Sequence, residues 1–224
     1  MIDFTHFAYL IYEFKYIDKH VIMGRVIKMK IEKIIERYKA LGYQIQYFET
    51  GKEAEEYLNQ ILDQTTIGIG GSKSIDTLGI YDSLSKHNKV YWHWKDPSTR
   101  KEASQAKVYL TSANGMSING EIVNIDGTGN RLASMLYGHD HLIIIAGINK
   151  MCGNLEEAIY RARNIAAPLN ARRFNVDTPC VKAEMKCYDC NAKARICHGM
   201  VTLFKPMNGI QTTEVILINE NLGY

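Results

Sequence analysis

Hydrophobic and polar positions alternate along the chain with two periods, and the switches between them outline the elements. After Met23 the period is helical: Ile27, Ile31, Ile34, Ile35, Tyr38 and Leu41 share one face, and Gly42 stands where a left-handed cap would end the helix. Tyr43 to Phe48 alternates as a strand. Thr50 is placed to cap a second helix with Ala54, Tyr57, Leu58, Ile61 and Leu62 on its apolar face. Ile67 and Ile69 mark a buried strand, Gly70, Gly71 and Ser72 a turn, and a helix from about Ile75 buries Ile75, Leu78 and Leu84. Lys89 to Trp94 is the next strand; Asp96-Pro97 then breaks the chain, and Thr99 with Glu102 has the spacing of a capping box.

The second half continues in the same way. Asn119-Gly120, between Met116-Ser117-Ile118 and Glu121-Ile122-Val123, is a strong hairpin signal. The small-residue loop from Asp126 to Asn130 leads into a helix starting near Arg131. The apolar run Leu142 to Ala146 is a strand that ends at Gly147, with Lys150 just beyond it. Asn154 and Glu157 cap a helix that turns Leu155, Ala158, Ile159, Ala162, Ile165 and Ala166 inward; Arg161 and Arg163 fall off that stripe, on the side normally left to solvent, and Pro168 ends it. Met200 to Phe204 and Thr213 to Asn219 read as two strands joined by a turn at Pro206 to Gly209. This alternation predicts an α/β fold, an open mixed or parallel sheet with flanking helices. Residues 1–22, rich in Tyr, Phe and Ile without a clean period, read as an N-terminal helix or extension; residues 23–224 read as one domain carrying a cysteine-rich insert at 178–198.

Composition narrows the class without naming a function. With 224 residues, 46% hydrophobic and 23% charged, the chain has an ordinary soluble make-up. A chain of this length buries roughly 70% of its unfolded surface and needs no disulfide scaffold. A net charge of +3, with no basic stripe interleaved with aromatics, argues against nucleic acid as a partner. No apolar run approaches the ~18 residues of a membrane span. The run Phe7 to Tyr12 is followed by Glu13 and Lys15 and lacks the features of a signal peptide. The expectation is a cytoplasmic protein without a membrane partner.

Open α/β sheets gather their ligands at strand ends. Two loops here sit at such ends. Gly70, Gly71, Ser72 and Ser74 follow a strand and open a helix, where free backbone N–H groups favour a phosphate or carboxylate. Neither specific nucleotide motif is present: Lys73 stands at the third glycine position of the dinucleotide fingerprint, and no Gly-Lys-Ser/Thr phosphate loop occurs. Thr128, Gly129, Asn130 and Arg131 form the second loop and would hold the other end of an anionic ligand. Asp126 is placed to accept hydrogen bonds or a proton, and Lys150 to supply a cation, so these two are the candidate catalytic residues. Asp126 to Arg131 is expected to face the glycine turn across a shared pocket with Lys150 near its rim. His93, beside aromatics, reads as a packed structural residue.

Four of the five cysteines are clustered: Cys180, Cys187, Cys190 and Cys197, spaced by six, two and six residues. The close pair Cys187/Cys190 could clasp a metal from one turn, with Cys180 and Cys197 completing a tetrahedral shell. Four thiolates suit zinc and equally an iron–sulfur cluster, with His198 as a further ligand candidate. Packed or redox-labile free thiols are the alternative. Cys152 lies outside the cluster.

Several runs, taken in order, resemble the LUD (lactate-utilisation) domain family: Gly70-Gly71-Ser72, Asn124 to Arg131, Gly147 to Lys150, Asn164 to Ala171, the Cys180 to Cys197 cluster with Arg195-Ile196-Cys197, and the closing Leu222-Gly223-Tyr224. The chain looks most like the compact bacterial type with the cysteine insert. The resemblance implies a fold like that of the ribose-phosphate isomerase, glucosamine-phosphate deaminase and CoA-transferase group. It implies a small anionic metabolite as ligand (an organic acid, sugar phosphate or CoA ester) and work in organic-acid oxidation beside iron–sulfur oxidoreductase subunits. Two alternatives remain open: an autonomous isomerase- or CoA-transferase-like enzyme, and an assembly or electron-transfer partner built on a metal or iron–sulfur site. Family members often carry Glu where this chain has Thr77.

Overall fold

The computed structural model describes residues 31–224; the expectations for residues 1–22 and for the first turns after Met23 lie outside them. A helix over residues 31–40 (α1) stops at Gly42, whose φ of 97° is the left-handed value its sequence position predicts. The strands that follow are β1 (Gln44–Phe48), β2 (Thr66–Ile69), β3 (Lys89–Trp92), β4 (Val108–Thr111), β5 (Gly115–Ser117), β6 (Ile122–Asp126), β7 (His141–Gly147), β8 (Met151–Cys152), β9 (Gly199–Leu203) and β10 (Thr212–Ile218). The helices after α1 are α2 (Gly51–Ile61), α3 (Lys73–Leu78), α4 (Ile80–Leu84), α5 (Arg100–Ala103), α6 (Asn130–Leu136), α7 (Leu155–Arg161), α8 (Ala167–Arg173) and α9 (Pro179–Lys182).

Six strands form a parallel sheet in the order β1-β10-β7-β4-β2-β3, and four form a second sheet in the order β8-β5-β6-β9. The fold is α/β, with helices flanking the parallel sheet. Central parallel strands are covered on both faces, so they read as unbroken apolar runs rather than alternating ones. Leu142 to Gly147 of β7 and Thr213 to Ile218 of β10 are all buried. Their isoleucines, Ile143, Ile145, Ile216 and Ile218, meet Ile67, Ile69 and Leu110 of the neighbouring strands and Ala54 and Leu58 of α2 in one core. Each such side chain contributes about 1.5–3 kcal/mol on burial.

The same reasoning explains a departure from the sequence pattern. The last two strands do not pair. β9, only partly buried, lies at the edge of the small sheet against β6, whereas β10 inserts between β1 and β7. β10 is apolar on both faces and therefore belongs at the centre of the covered sheet. The Asn119-Gly120 turn joins antiparallel β5 and β6, with Gly120 at φ 108°.

Other differences have local causes. The helix after the glycine turn is split at Gly79, in the left-handed region at φ 71°, leaving α3 only six residues long. Asp96, not Thr99, caps the turn of Pro97–Thr99, accepting from the Ser98 backbone N–H at 3.0 Å. Ile61, expected inside, is exposed.

The largest difference lies beyond α7. Residues Ala162–Ala166 form a π-helical turn, in which the Ala167 N–H donates to the Ala162 carbonyl. One extra residue per turn rotates the following face. Ile165 is thereby exposed; Arg161, expected in solvent, precedes the turn and is buried at helical spacing from Ala158. Pro168 does not end the helix. It falls in the first turn of α8, where its missing N–H costs no bond, and the helix runs on to Arg173.

Candidate functional site

A cavity of about 720 Å³ opens beyond the carboxyl ends of β2, β3, β4, β6 and β7. Its lining includes Gly71, Ser72 and Ser74 of the first predicted loop and Asp126, Thr128, Asn130 and Arg131 of the second, together with Lys150. The two loops thus share one pocket. Gly70 and Gly129 do not line it. A Cβ at Gly70 would stand 2.9 Å from the Tyr109 hydroxyl, so this glycine serves the close approach of β2 and β4. Gly129, at φ 89°, makes the turn into α6.

Arg131 stitches the loops together. Its guanidinium donates to the Gly71 carbonyl at 2.8 Å and to the Ile125 carbonyl at 2.5 Å. Asp126 is engaged in the same joint: its carboxylate accepts from the Gly127 N–H at 2.8 Å and the Arg131 N–H at 3.2 Å. Each oxygen thus accepts one loop N–H, which fixes the carboxylate in place and leaves a lone pair on each for a further partner. Ser72 caps α3, accepting from the Ile75 N–H. Ser74 donates to the Leu222 carbonyl at 3.1 Å, and Ser112 donates to the Ser74 hydroxyl, also at 3.1 Å. Thr77 is exposed, bonds to the Lys73 carbonyl and stands outside the cavity.

Lys150 sits in the 3₁₀ turn after β7, only 2% exposed. Its amine donates to the Tyr224 main-chain oxygen. Burial first, then the guanidiniums of Arg161 and Arg131, push its pKa down to about 7. Arg161 is the scaffold on that side: it donates to the carbonyls of Asn149 at 2.9 Å, Tyr224 at 3.1 Å, and Asn114. It thereby ties α7 to the ends of β4 and β7.

The third wall comes from residues to which the sequence pattern assigns no site role. His93 and Trp94 follow β3 directly and reach over Gly71; a Cβ there would stand 3.1 Å from Trp94 Nε1 and 3.4 Å from His93 Nε2. Burial, Arg100 and Arg131 hold the imidazole below its usual pKa, against the opposing pull of Asp126. His93 Nδ1 and Arg131 Nε are buried with no hydrogen-bond partner. Asn124 is fully buried; its amide nitrogen donates to the Ser112 carbonyl at 2.6 Å, while its Oδ1 has no partner. Arg173 of α8 lies over the Trp94 ring at 4.7 Å. The position of His93-Trp94 at a strand end was a usable signal. Nothing local to Arg173 was, because the continuation of its helix past Pro168 depends on the π turn.

The end of the cysteine insert closes the cavity. Arg195, Ile196, Cys197 and His198 line it, and the His198 N–H donates to the Asp126 carbonyl at 3.0 Å. Gly127 lets the Ile196 carbonyl approach, since a Cβ would be 2.5 Å from that oxygen. The four thiols themselves have separate neighbours. Cys180 Sγ meets the Thr178 hydroxyl at 3.2 Å, and Cys187 Sγ accepts from the Asp189 N–H at 3.4 Å and from Arg163 at 3.6 Å. Arg195 donates to the carbonyls of Cys190 and Cys197. Among the described residues, no group of three or more His, Cys, Asp or Glu side chains is gathered closely enough to hold a metal ion.

The cavity is strongly cationic. Lys73, Arg100, Arg131, Lys150, Arg173 and Arg195 line it, against the single carboxylate side chain of Asp126 among the described residues. A parallel α/β sheet with a cation-lined cavity at the carboxyl ends of its strands defines the class. A family model described as the LUD domain matches residues 31–218, and the chain belongs to the LUD-domain family. The fold is similar to the 1.70 Å crystal structure of a DUF162 family protein from Deinococcus radiodurans. That likeness has a TM-score of 0.53 at 14% identity and covers 85% of this chain and 97% of that one. No curated protein matches the chain. No helix among the described residues is long and apolar enough to cross a membrane.

Proposed function

We propose that this LUD-domain protein binds a small anionic metabolite in the cavity at its strand ends, and that it does so in organic-acid oxidation beside iron–sulfur oxidoreductase subunits. The observation that carries the binding reading is the excess of cations: six lysine and arginine side chains line the cavity, of which Lys73 is paired with Asp76 at 2.6 Å, against one carboxylate side chain in the lining. Ligand pockets of this type have volumes of ~300–1,000 Å³ and bury most of their occupant, so charge of one sign must be matched by the ligand. The oxidation setting and the partner subunits rest on the family resemblance alone. The test of the binding reading is thermal stabilisation by lactate, ribose 5-phosphate and acetyl-CoA. An occupant at 100 times its Kd adds about 2.7 kcal/mol to stability and raises Tm accordingly. If none of the three shifts Tm, the anion-binding reading is wrong.

A further inference from the structure

The cationic lining is not uniform, and its two ends differ in chemistry. Around Gly71, donors converge from three elements: the Trp94 indole N–H and His93 imidazole from the end of β3, Arg100 from α5, and Arg131 from α6. The one carboxylate side chain among the charges acting on His93, that of Asp126, is already bonded to two backbone N–H groups. Charge at this end is therefore in excess, and two buried nitrogens, His93 Nδ1 and Arg131 Nε, lack partners. At the other end stand short polar groups suited to hydroxyls: Ser74, Ser112 and Asn124, with the Asn124 Oδ1 buried and unpartnered. Buried polar atoms without partners are rare in folded proteins and call for a ligand or water at that point.

We propose that the Gly71–His93–Trp94–Arg100–Arg131 end of the cavity is a subsite for the phosphate of a phosphate monoester, and that the Ser74–Ser112–Asn124 end takes the ester's hydroxylated carbon chain. This rests on the anion-binding reading and narrows it from any small anion to a phosphorylated, hydroxylated one. A carboxylate is planar, carries one charge and offers two oxygens. A phosphate monoester carries up to two charges and three terminal oxygens set tetrahedrally, which suits donors arriving from three directions. Arg131 is held by two carbonyls and contributes mainly its field, while exposed Arg100 is free to close as a fork on the anion. A neutral imidazole donates from one nitrogen only, and the tautomer with the proton on the buried, unpartnered Nδ1 is the one that would give that atom an anion to bond. Gly71 is the residue that lets the Trp94 and His93 nitrogens come in over the turn, because a side chain there would meet both.

Calorimetric titration of the whole chain with ribose 5-phosphate, ribose, inorganic phosphate and lactate tests the assignment. Ribose 5-phosphate is expected to bind at least about tenfold tighter than ribose or lactate, with inorganic phosphate competing against it, since charge-assisted bonds to a dianion are stronger than neutral ones. Binding should change the emission of the Trp92/Trp94 pair. Arg100→Ala, at an exposed position, should weaken ribose 5-phosphate about tenfold, and His93→Gln should weaken it less. Lactate binding without ribose 5-phosphate or inorganic phosphate would overturn the phosphate subsite while leaving the anion-binding reading standing. Unchanged affinity in Arg100→Ala would also overturn it. No binding by any of these ligands would overturn both.

Discussion

The cavity and the cysteine insert are adjacent, and both are rich in reactive side chains, yet they are built in opposite ways. In the cavity, side chains reach across the fold to bond backbone groups far away in sequence: Arg131 to Gly71, Arg161 to Asn114 and Tyr224, Asn124 to Ser112. Those bonds are anchored in strands with fully buried apolar faces. In the insert, bonds such as Arg195 to Cys190 and Cys197, or Lys186 to Glu184, join near neighbours. Its ties to the body run from the Cys187 N–H to Asn164, from Arg163 to Asp189 and from the His198 N–H to Asp126, and no residue from 179 to 198 is buried. The cavity inherits its geometry from the sheet. The insert has no core from which to inherit one.

A segment without a core must find order elsewhere, because each fixed backbone costs about 1–2 kcal/mol in entropy. The cysteine spacing supplies the natural source. Zinc added to anaerobically reduced protein is expected to draw Cys180, Cys187, Cys190 and Cys197 out of their separate contacts onto one ion. The apparent stabilisation of the insert would be of order 10 kcal/mol. Elemental analysis and protease protection of residues 178–198, with and without a chelator, measure it. Protein that carries neither zinc nor iron, and whose cleavage pattern zinc leaves unchanged, would show that the thiols stay apart. This is the largest effect the contrast between the regions allows.

The next effect belongs to the cavity. Arg161→Ala removes a buried guanidinium that satisfies three carbonyls, those of Asn114, Asn149 and Tyr224. Hydrogen bonds to a charged group contribute about 1.5–3 kcal/mol each and are not additive, so a loss of about 3 kcal/mol is expected. Urea unfolding should show a lower midpoint with an unchanged slope. A loss under about 1 kcal/mol would mean that the strand ends hold the cavity without their arginine.

A smaller effect follows from Lys150. Its pKa of about 7 means the amine is cationic below that value and neutral above it. Affinity for an anion at its end of the cavity should therefore fall as pH rises from 6 to 8.5, by roughly tenfold for the loss of one partly screened charge. The bound anion itself raises the pKa and moves the midpoint upward. Stability without ligand runs the other way. The unfolded lysine, at 10.5, holds more protons than the folded one between about pH 7 and 10.5, so this group makes the fold more stable as pH rises through that window. Lys150→Met should flatten both slopes, and a Lys150→Met protein with the wild-type pH dependence would assign the titration to another group.

How much of this the sequence disclosed follows the same division. The parallel sheet was legible because its strands are apolar runs, and the two cavity loops because glycine turns at strand ends mark such places. The family resemblance rested on those same runs. What was not legible required tertiary information. The burial of Arg161 depends on main-chain oxygens brought to it from Asn114, Asn149 and Tyr224, and the place of β10 depends on competition among strands for the sheet centre. Asp126, singled out for its carboxylate, also fixes the loop through N–H groups of its own segment, while His93, set aside as a packed residue, lines the cavity. In the insert the spacing spoke for a shell that the side chains do not form.

The smallest effect probes whether ion pairs order the insert in place of a metal. The Asp189 carboxylate lies 3.0 Å from Arg163 and 3.8 Å from Arg195, but its side chain is 74% exposed. Exposed pairs contribute a median of about 0–1 kcal/mol, lowered further by salt. Its backbone sits in the left-handed region at φ 47°, which asparagine tolerates as well as aspartate. Asp189→Asn therefore removes the charge without straining the turn, and should change stability by less than about 0.5 kcal/mol and leave proteolysis of residues 178–198 unaltered. A loss above 1 kcal/mol, abolished in high salt, would make electrostatics the organiser of the insert and remove the physical need for a metal there.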